Sequence, residues 1–249
     1  MNVTIFNEYH EKQRKGKAAR FYPNGIHIEL KKYLNVESSD LNITTITQED
    51  PGNGFTKELL DNTDVLVWWS DVWNEQVLND VVTNVTKRVK EGMGLVALYG
   101  ANQSRVFKSL LGTTCLSSKD NKSTTVKLIS LDPKHPICKD VKFPVTFRDA
   151  NVLTEPFDVP APETAPIISW FSTGNVLRAL MTFKVGKGKV VYFYGGSDTS
   201  DSYLNVNVKK LISNSIKYVA PKVETPEDSD QNANVKDAKK TKRSIFKRK

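Results

Sequence analysis

The sequence predicts an α/β fold with a doubly wound, mostly parallel sheet and an antiparallel extension on one edge. Three observations lead there. Short apolar, β-branched runs alternate with longer helical patterns, as strand–helix–strand units do. Two of these runs, Val65–Trp69 and Leu95–Leu98, lack polar alternation, which marks strands buried on both faces of a parallel sheet. The later part of the chain is strand-rich, and the turn Gly186-Lys187-Gly188 between two strand patterns calls for a hairpin.

Each element follows from its own pattern. Val3–Phe6 is a first strand, and Glu11 to about Leu34 is helical with a turn around Pro23-Asn24-Gly25. Ile43–Thr47 is a second strand and Val65–Trp69 a third. Glu75–Lys90 places Val77, Val81, Val82, Val85 and Val89 at helical spacing, and Gly92 and Gly94 stop it. Leu95–Leu98 is a fourth strand and Ser104–Leu111 a short helix. Val126–Leu131, Ile167–Phe171, Leu177–Phe183 and Val190–Tyr194 read as later strands, and Asn205–Val219 as a closing helix.

Composition sets the outer limits. The 249 residues are 39% hydrophobic and 26% charged, ordinary globular proportions with enough apolar material for one core. We read residues 1–220 as one domain and 221–249 as a disordered, charged tail, because the apolar periodicity ends at Pro221. The net charge is +8, and the tail holds nine Lys/Arg against five Asp/Glu, a net of +4. Only +4 remains for the folded part, which is mildly basic and shows no obvious nucleic-acid stripe. No run of about 18 apolar residues exists, so no transmembrane helix is expected. The first residues read as a strand rather than a signal peptide, and a cytoplasmic location is expected. Cys115 and Cys138 are expected as two reduced thiols.

Ligands of open parallel sheets bind beyond the carboxyl ends of the strands. Four loops leave those ends here. They carry Asn7, Glu8, Tyr9, His10 and Glu11; Ser70, Asp71, Val72, Trp73 and Asn74; Tyr99, Gly100, Ala101 and Asn102; and Gly195, Gly196, Ser197 and Asp198. One rim would gather Glu8, Asp71 and Asp198 with His10, Tyr99 and Asn102. Aromatic faces beside carboxylates and amides suit a sugar, whose C–H faces pack on rings and whose hydroxyls take paired hydrogen bonds. Trp68 and Trp69 point to opposite faces of their strand, so one is core and the other, Trp69, is a candidate for the crevice.

Several chemistries find no support. There is no P-loop, no G-x-G-x-x-G and no G-x-S-x-G. A class I glutaminase needs a cysteine at the strand-to-helix turn, and Leu98-Tyr99-Gly100-Ala101-Asn102 has none. Cys115 lies past the following helix and reads as a buried small hydrophobe. The three histidines, His10, His27 and His135, lack the close spacing of a zinc motif.

A set of stretches spread over residues 3–220 resembles the ThuA-like, or trehalose-utilisation, family. They include Asn7-Glu8 with His10-Glu11, Tyr22-Pro23-Asn24-Gly25-Ile26-His27 and Asp61-Asn62-Thr63-Asp64-Val65-Leu66-Val67-Trp68-Trp69. Glu91-Gly92-Met93-Gly94-Leu95-Val96, Phe107-Lys108-Ser109-Leu110-Leu111-Gly112-Thr113 and Phe157-Asp158-Val159-Pro160-Ala161-Pro162 continue the series, with Ile168-Ser169-Trp170-Phe171 and Gly186-Lys187-Gly188-Lys189 at its end. The resemblance implies a flavodoxin-like, class I glutamine amidotransferase-like fold without glutaminase chemistry, and an association with sugar metabolism. Similar proteins carry Gly-His and a further His after the two tryptophans, where this chain has Ser70, Asp71 and Asn74. They carry His-Ser-Gly-His at Tyr99 to Asn102, and Arg-Pro-Gly-His-Glu from Tyr194 to Asp198. Five histidines are replaced together, so their proton transfer or metal binding is not inherited.

The leading expectation is a catalytically altered protein of this kind that binds a sugar or similar polar small molecule. Its contacts would come from Glu8, His10, His27, Trp69, Asp71, Asn74, Tyr99, Asn102, Ser197 and Asp198, with no cofactor and no resident metal. An alternative is an active carbohydrate-processing enzyme that uses Glu8, Asp71 and Asp198 as acid and base or around a hard cation. Another is contact of the basic tail, Lys239 to Arg243 and Phe246 to Lys249, with nucleic acid or an anionic surface; a solvated tail that aids solubility is the preferred reading of that segment. Proteins of this fold often self-associate, so a homo-oligomer is an expected form.

Overall fold

The computed structural model of the protein describes residues 1–120, 123–149 and 151–221. The strands are β1 (Asn2–Asn7), β2 (Asn42–Thr47), β3 (Val65–Trp69), β4 (Gly94–Leu98), β5 (Ser117–Asp120), β6 (Thr124–Ser130), β7 (Val145–Asp149), β8 (Val152–Phe157), β9 (Thr164–Phe171), β10 (Val176–Val185) and β11 (Gly188–Phe193). The α-helices are α1 (Gly16–Phe21), α2 (Ile26–Glu37), α3 (Lys57–Asn62), α4 (Asn79–Glu91), α5 (Arg105–Leu111) and α6 (Val206–Val219).

Nine strands form one sheet in the order β2-β1-β3-β4-β11-β10-β9-β6-β7. The first five are parallel and the pairings from β11 to β7 are antiparallel, so the predicted edge extension is present. Strands β5 and β8 pair in a small separate sheet. Every residue of β3 and β4 is buried, as their unbroken apolar runs require for central parallel strands. The hairpin joins β10 to β11 with Val185 opposite Gly188, and Gly186 takes a φ of 61° at the turn.

Helix α2 buries Ile26, Leu30 and Leu34 against β1, and α6 buries Val208, Leu211, Ile212 and Ile216 against β3, β4 and β11. These two helices also touch each other, whereas α3, α4 and α5 form a second contiguous group. All described carboxyl-end loops of the parallel half therefore emerge between two helical layers at one end of the sheet.

The structure differs from the pattern reading in a few places. The expected helix over Glu75–Lys90 begins only at Asn79, after a 3₁₀ turn at Asn74–Gln76. Two tertiary bonds remove the missing turn from the helical ladder: Arg105 donates to the Val77 carbonyl at 2.8 Å, and the Leu78 N–H donates to Asn53 Oδ1 at 2.9 Å. Strands β5, β7 and β8 and helix α3 are additional elements, each short or weakly patterned. Cys115 and Cys138 are both free and buried. The expectation for the tail falls on residues outside the described ones, apart from Pro221.

Candidate functional site

The rim begins where β1 and β3 end side by side, with Asn7 in register with Trp69. Beyond Trp69 the loop bends so that three consecutive N–H groups, from Asp71, Val72 and Trp73, point inward. The wholly buried Glu8 carboxylate fills this nest: Oε2 accepts from them at 2.9, 3.0 and 2.9 Å. Three backbone donors favour the charged carboxylate, but burial outweighs them and pushes Glu8 up to about 7.

His10 completes this end. Its Nδ1 accepts from the Lys12 N–H at 3.1 Å, so its proton sits on Nε2, 3.3 Å from Glu8 Oε1. The ring packs on Trp73 at 5.4 Å and burial lowers its basicity. His27 lies in the first turn of α2, where the Asn7 side-chain amide donates to its Nδ1 at 3.0 Å. Burial lowers His27 to about 4, so it stays neutral. Gly25 leaves room for it: a Cβ there would fall 2.5 Å from the His27 ring and 2.8 Å from that of Tyr9.

The other end is built on the turn after β4. Tyr99 occupies it with a φ of 52°, a strained value for a residue that is not glycine. Gly100 follows because the loop after β3 presses on it: a Cβ would meet Asp71 Oδ1 and Cα at 2.8 Å. Asn74 holds the two loops together, donating to the Asp71 and Gly100 carbonyls at 3.0 Å and accepting from Ser70 Oγ at 2.6 Å. The Tyr99 ring stacks on Trp69 at 5.9 Å, and the Trp69 indole N–H donates to the Tyr203 hydroxyl at 2.9 Å. The Tyr99 hydroxyl is buried and has no hydrogen-bond partner among the described residues.

The charges of three carboxylates bear on that hydroxyl. Burial, and then Asp71, Asp149 and Asp198 in turn, push the phenol well above its ordinary value. Asp149, at the end of β7, accepts from Ser197 Oγ at 2.6 Å, Ser197 N–H at 2.8 Å, and Tyr194 hydroxyl and Asn151 N–H at 3.0 Å each. Asp198 is half-buried and takes the backbone N–H groups of Thr199 and of its own residue; burial first, and then Asp71 and Asp149, raise it to about 6. Asp71 is raised as well, by burial first. Its side chain is 22% exposed and faces the Lys119 ammonium of β5 at 3.8 Å, itself 45% exposed.

With the geometry in hand, the relationship to known proteins is direct. The sequence model of the ThuA family, described as trehalose utilisation, matches residues 2–219. The chain belongs to the ThuA family. Solved structures agree on the fold. A ThuA-like protein from Parabacteroides merdae superposes with a TM-score of 0.61 at 11% identity, covering 91% of this chain and 93% of that one. A cytoplasmic protein from Salmonella typhimurium gives 0.59 at 14%, covering 89% and 99%. A β-galactosidase from Rahnella sp. R3 gives 0.55 at 12%; the match covers 87% of this chain and 31% of the enzyme, so the fold there is one part of a larger chain. No curated protein sequence matches significantly.

The ThuA scaffold brings together most of the residues the sequence singled out, but in two separate arrangements. Glu8, His10, His27 and Asn74 are buried and already hydrogen-bonded within the protein. Ser197 is likewise bound to Asp149, and Asn102 turns away from the rim to donate to the Cys115 carbonyl at 2.9 Å. Trp69 lies on the Tyr99 side as its strand position requires, yet it is 1% exposed and forms an inner wall. Asp71 and Asp198 are the two candidate carboxylates left partly exposed. His135 belongs to another region, between Thr164 and Tyr218. Asp149 and Lys119 were missed. Alternation over Val145, Phe147 and Asp149 marks β7 and would have placed Asp149 on its inward face, whereas nothing in Ser117–Asp120 signals a strand. Among the described residues no group of three His, Cys, Asp or Glu is arranged to hold a metal ion.

Proposed function

We propose that this ThuA family protein binds a sugar or similarly polar small molecule at the Tyr99 end of the rim, without histidine-based proton transfer. One observation carries the reading: the rim's proton-transfer groups are already committed. His10 and His27 are neutral and bonded to Glu8 and Asn7. The residue at the turn where a nucleophile would stand is a tyrosine whose phenol stays protonated. What remains is a pair of partly exposed acceptors, Asp71 and Asp198, and the buried Tyr99 hydroxyl, which has no partner among the described residues. That is a recognition set for hydroxyls rather than a reacting set.

Calorimetry of the full chain against monosaccharides, disaccharides and sugar phosphates, with product analysis of each mixture, tests this. Binding without turnover, weakened tenfold or more by Asp71→Asn, is the expected result. Turnover lost in Glu8→Gln would overturn the non-catalytic part.

A second reading rests on Glu8 at about 7 and Asp198 at about 6, the range in which a carboxyl acts as general acid or base near neutrality. It requires glycoside cleavage with a bell-shaped pH profile whose limbs lie near those values. A flat zero across the same substrates removes it.

A further inference from the structure

We infer that the protein carries a second small-molecule site, a groove on the antiparallel extension of the sheet that takes a planar aromatic ring bearing an anionic group. The groove has a volume of about 630 Å³, within the range of roughly 300–1,000 Å³ typical of ligand sites. Its floor is the outer face of β6 and β9, from which Ile129 and Trp170 rise. Its wall is the loop from β6 to β7, which supplies Pro133, Val141, Phe143 and Pro144. In the sheet, β11 and β10 stand between β4 and these strands, so the groove is distinct from the rim and does not depend on how the rim is read.

The strand pattern leaves this floor open. Ser169 and Phe171 turn into the protein and are wholly buried, so Trp170 between them points outward and stays 40% exposed. The wall is fixed in advance. The Leu131 N–H donates to the Pro166 carbonyl of β9 at 2.8 Å, and the Lys142 N–H to Asn207 Oδ1 of α6 at 3.0 Å. Between them Asn214 of α6 donates to the Ile137 and Lys139 carbonyls at 3.0 and 2.8 Å. A loop tied down at both ends and in the middle does not have to be ordered by a ligand.

Charge selects the ligand. Lys127 is the one charged residue lining the groove, and no acidic side chain lines it. The lysine makes no ion pair with any described residue, and its cross-strand neighbours Thr146 and Trp170 are uncharged. Its ammonium lies 5.4 Å from the centre of the Trp170 ring. A flat ring stacked on Trp170 against the proline and phenylalanine wall would therefore bring a carboxylate or phosphate on its edge to an unneutralised cation. The Trp170 indole N–H, which has no acceptor among the described residues, adds a second donor.

The test is calorimetry of the full chain with 2-naphthoate and with 2-naphthylmethanol, the same ring with and without the charge, together with NMR of the indole N–H signals. Adenosine monophosphate against adenosine repeats the comparison with a phosphate. At least one anion should bind tenfold or more tighter than its neutral partner and shift the Trp170 signal, identified by its loss in Trp170→Ala. Which pair shows the gain tells carboxylate from phosphate. Trp170→Ala should weaken the bound anion tenfold or more, and Lys127→Gln should bring it down to the affinity of its neutral analogue; both side chains are exposed, so circular dichroism should show intact folds. Equal affinity within both pairs, or an anion affinity unchanged in Lys127→Gln, overturns the charge selection. Binding that leaves the Trp170 signal unmoved, or no binding of either anion at millimolar concentration, overturns the site itself.

Discussion

The two ends of the rim use the same residue types to opposite effect. At the β1 end, a carboxylate, a histidine and an amide close upon one another: Glu8 fills the backbone nest of Asp71 to Trp73, His10 donates to Glu8, and Asn7 donates to His27. At the β4 end, the buried Tyr99 hydroxyl has no hydrogen-bond partner among the described residues, and Asp71 and Asp198 stay partly exposed and raised. Saturated polar groups hold a loop in shape. Unsaturated ones carry a standing cost that a ligand can relieve. Residue type alone does not separate a structural carboxylate from a binding one; the count of partners does.

That contrast can be broken in order of expected effect. Glu8→Ala strips the acceptor from three buried N–H groups and leaves a void, so urea unfolding should show a loss of about 4 kcal/mol. Asp149→Ala releases Tyr194 and Ser197 and should cost about 2–3 kcal/mol in the same measurement. A stability loss below about 1 kcal/mol in either would contradict the saturated reading.

The pH dependence sharpens it. Glu8 rises from 4.5 to about 7 on folding, so the folded state holds its proton more tightly than the unfolded chain. The associated stability is fully present below pH 4.5 and is lost as pH rises through 7, by about 3 kcal/mol at most. Glu8→Gln should flatten that slope between pH 4.5 and 7, measured by unfolding at several pH values. A wild-type curve that rises with pH over this window would mean that the three N–H donors win over burial.

At the other end, removing a polar group should leave the fold intact or gain stability. Tyr99→Phe removes an unpaired buried hydroxyl and should leave stability within about 1 kcal/mol of the wild type, with a gain the expected direction. Asp198→Asn removes the burial cost and the repulsion from Asp71 and Asp149 that raise this carboxyl to about 6, so stability at pH 7 should rise, by at most about 3 kcal/mol.

The fold was legible because its signals are local and strong. Val65–Trp69 admits only a strand buried on both faces, and the valines at 81, 85 and 89 admit only a helix with one buried stripe. The order of the parallel strands then places the four loops on one rim. The division of that rim was not legible, because it depends on partners distant in sequence. Glu8 and Asp71 are 63 residues apart, and Asp149 and Ser197 48. The start of α4 was misjudged for the same reason, since Asn53 and Arg105 claim the backbone of Val77 and Leu78. Lys119 lies in a strand, Ser117–Asp120, that only its pairing with β8 defines.

The most direct test is Tyr99→Phe, followed by paired measurements of melting temperature and of affinity for the tightest-binding sugar found by calorimetry. The account predicts an unchanged or higher melting temperature with affinity reduced tenfold or more, because the hydroxyl contributes to the ligand and not to the fold. A lower melting temperature with affinity untouched would contradict it and make the β4 end structural, like its counterpart at β1.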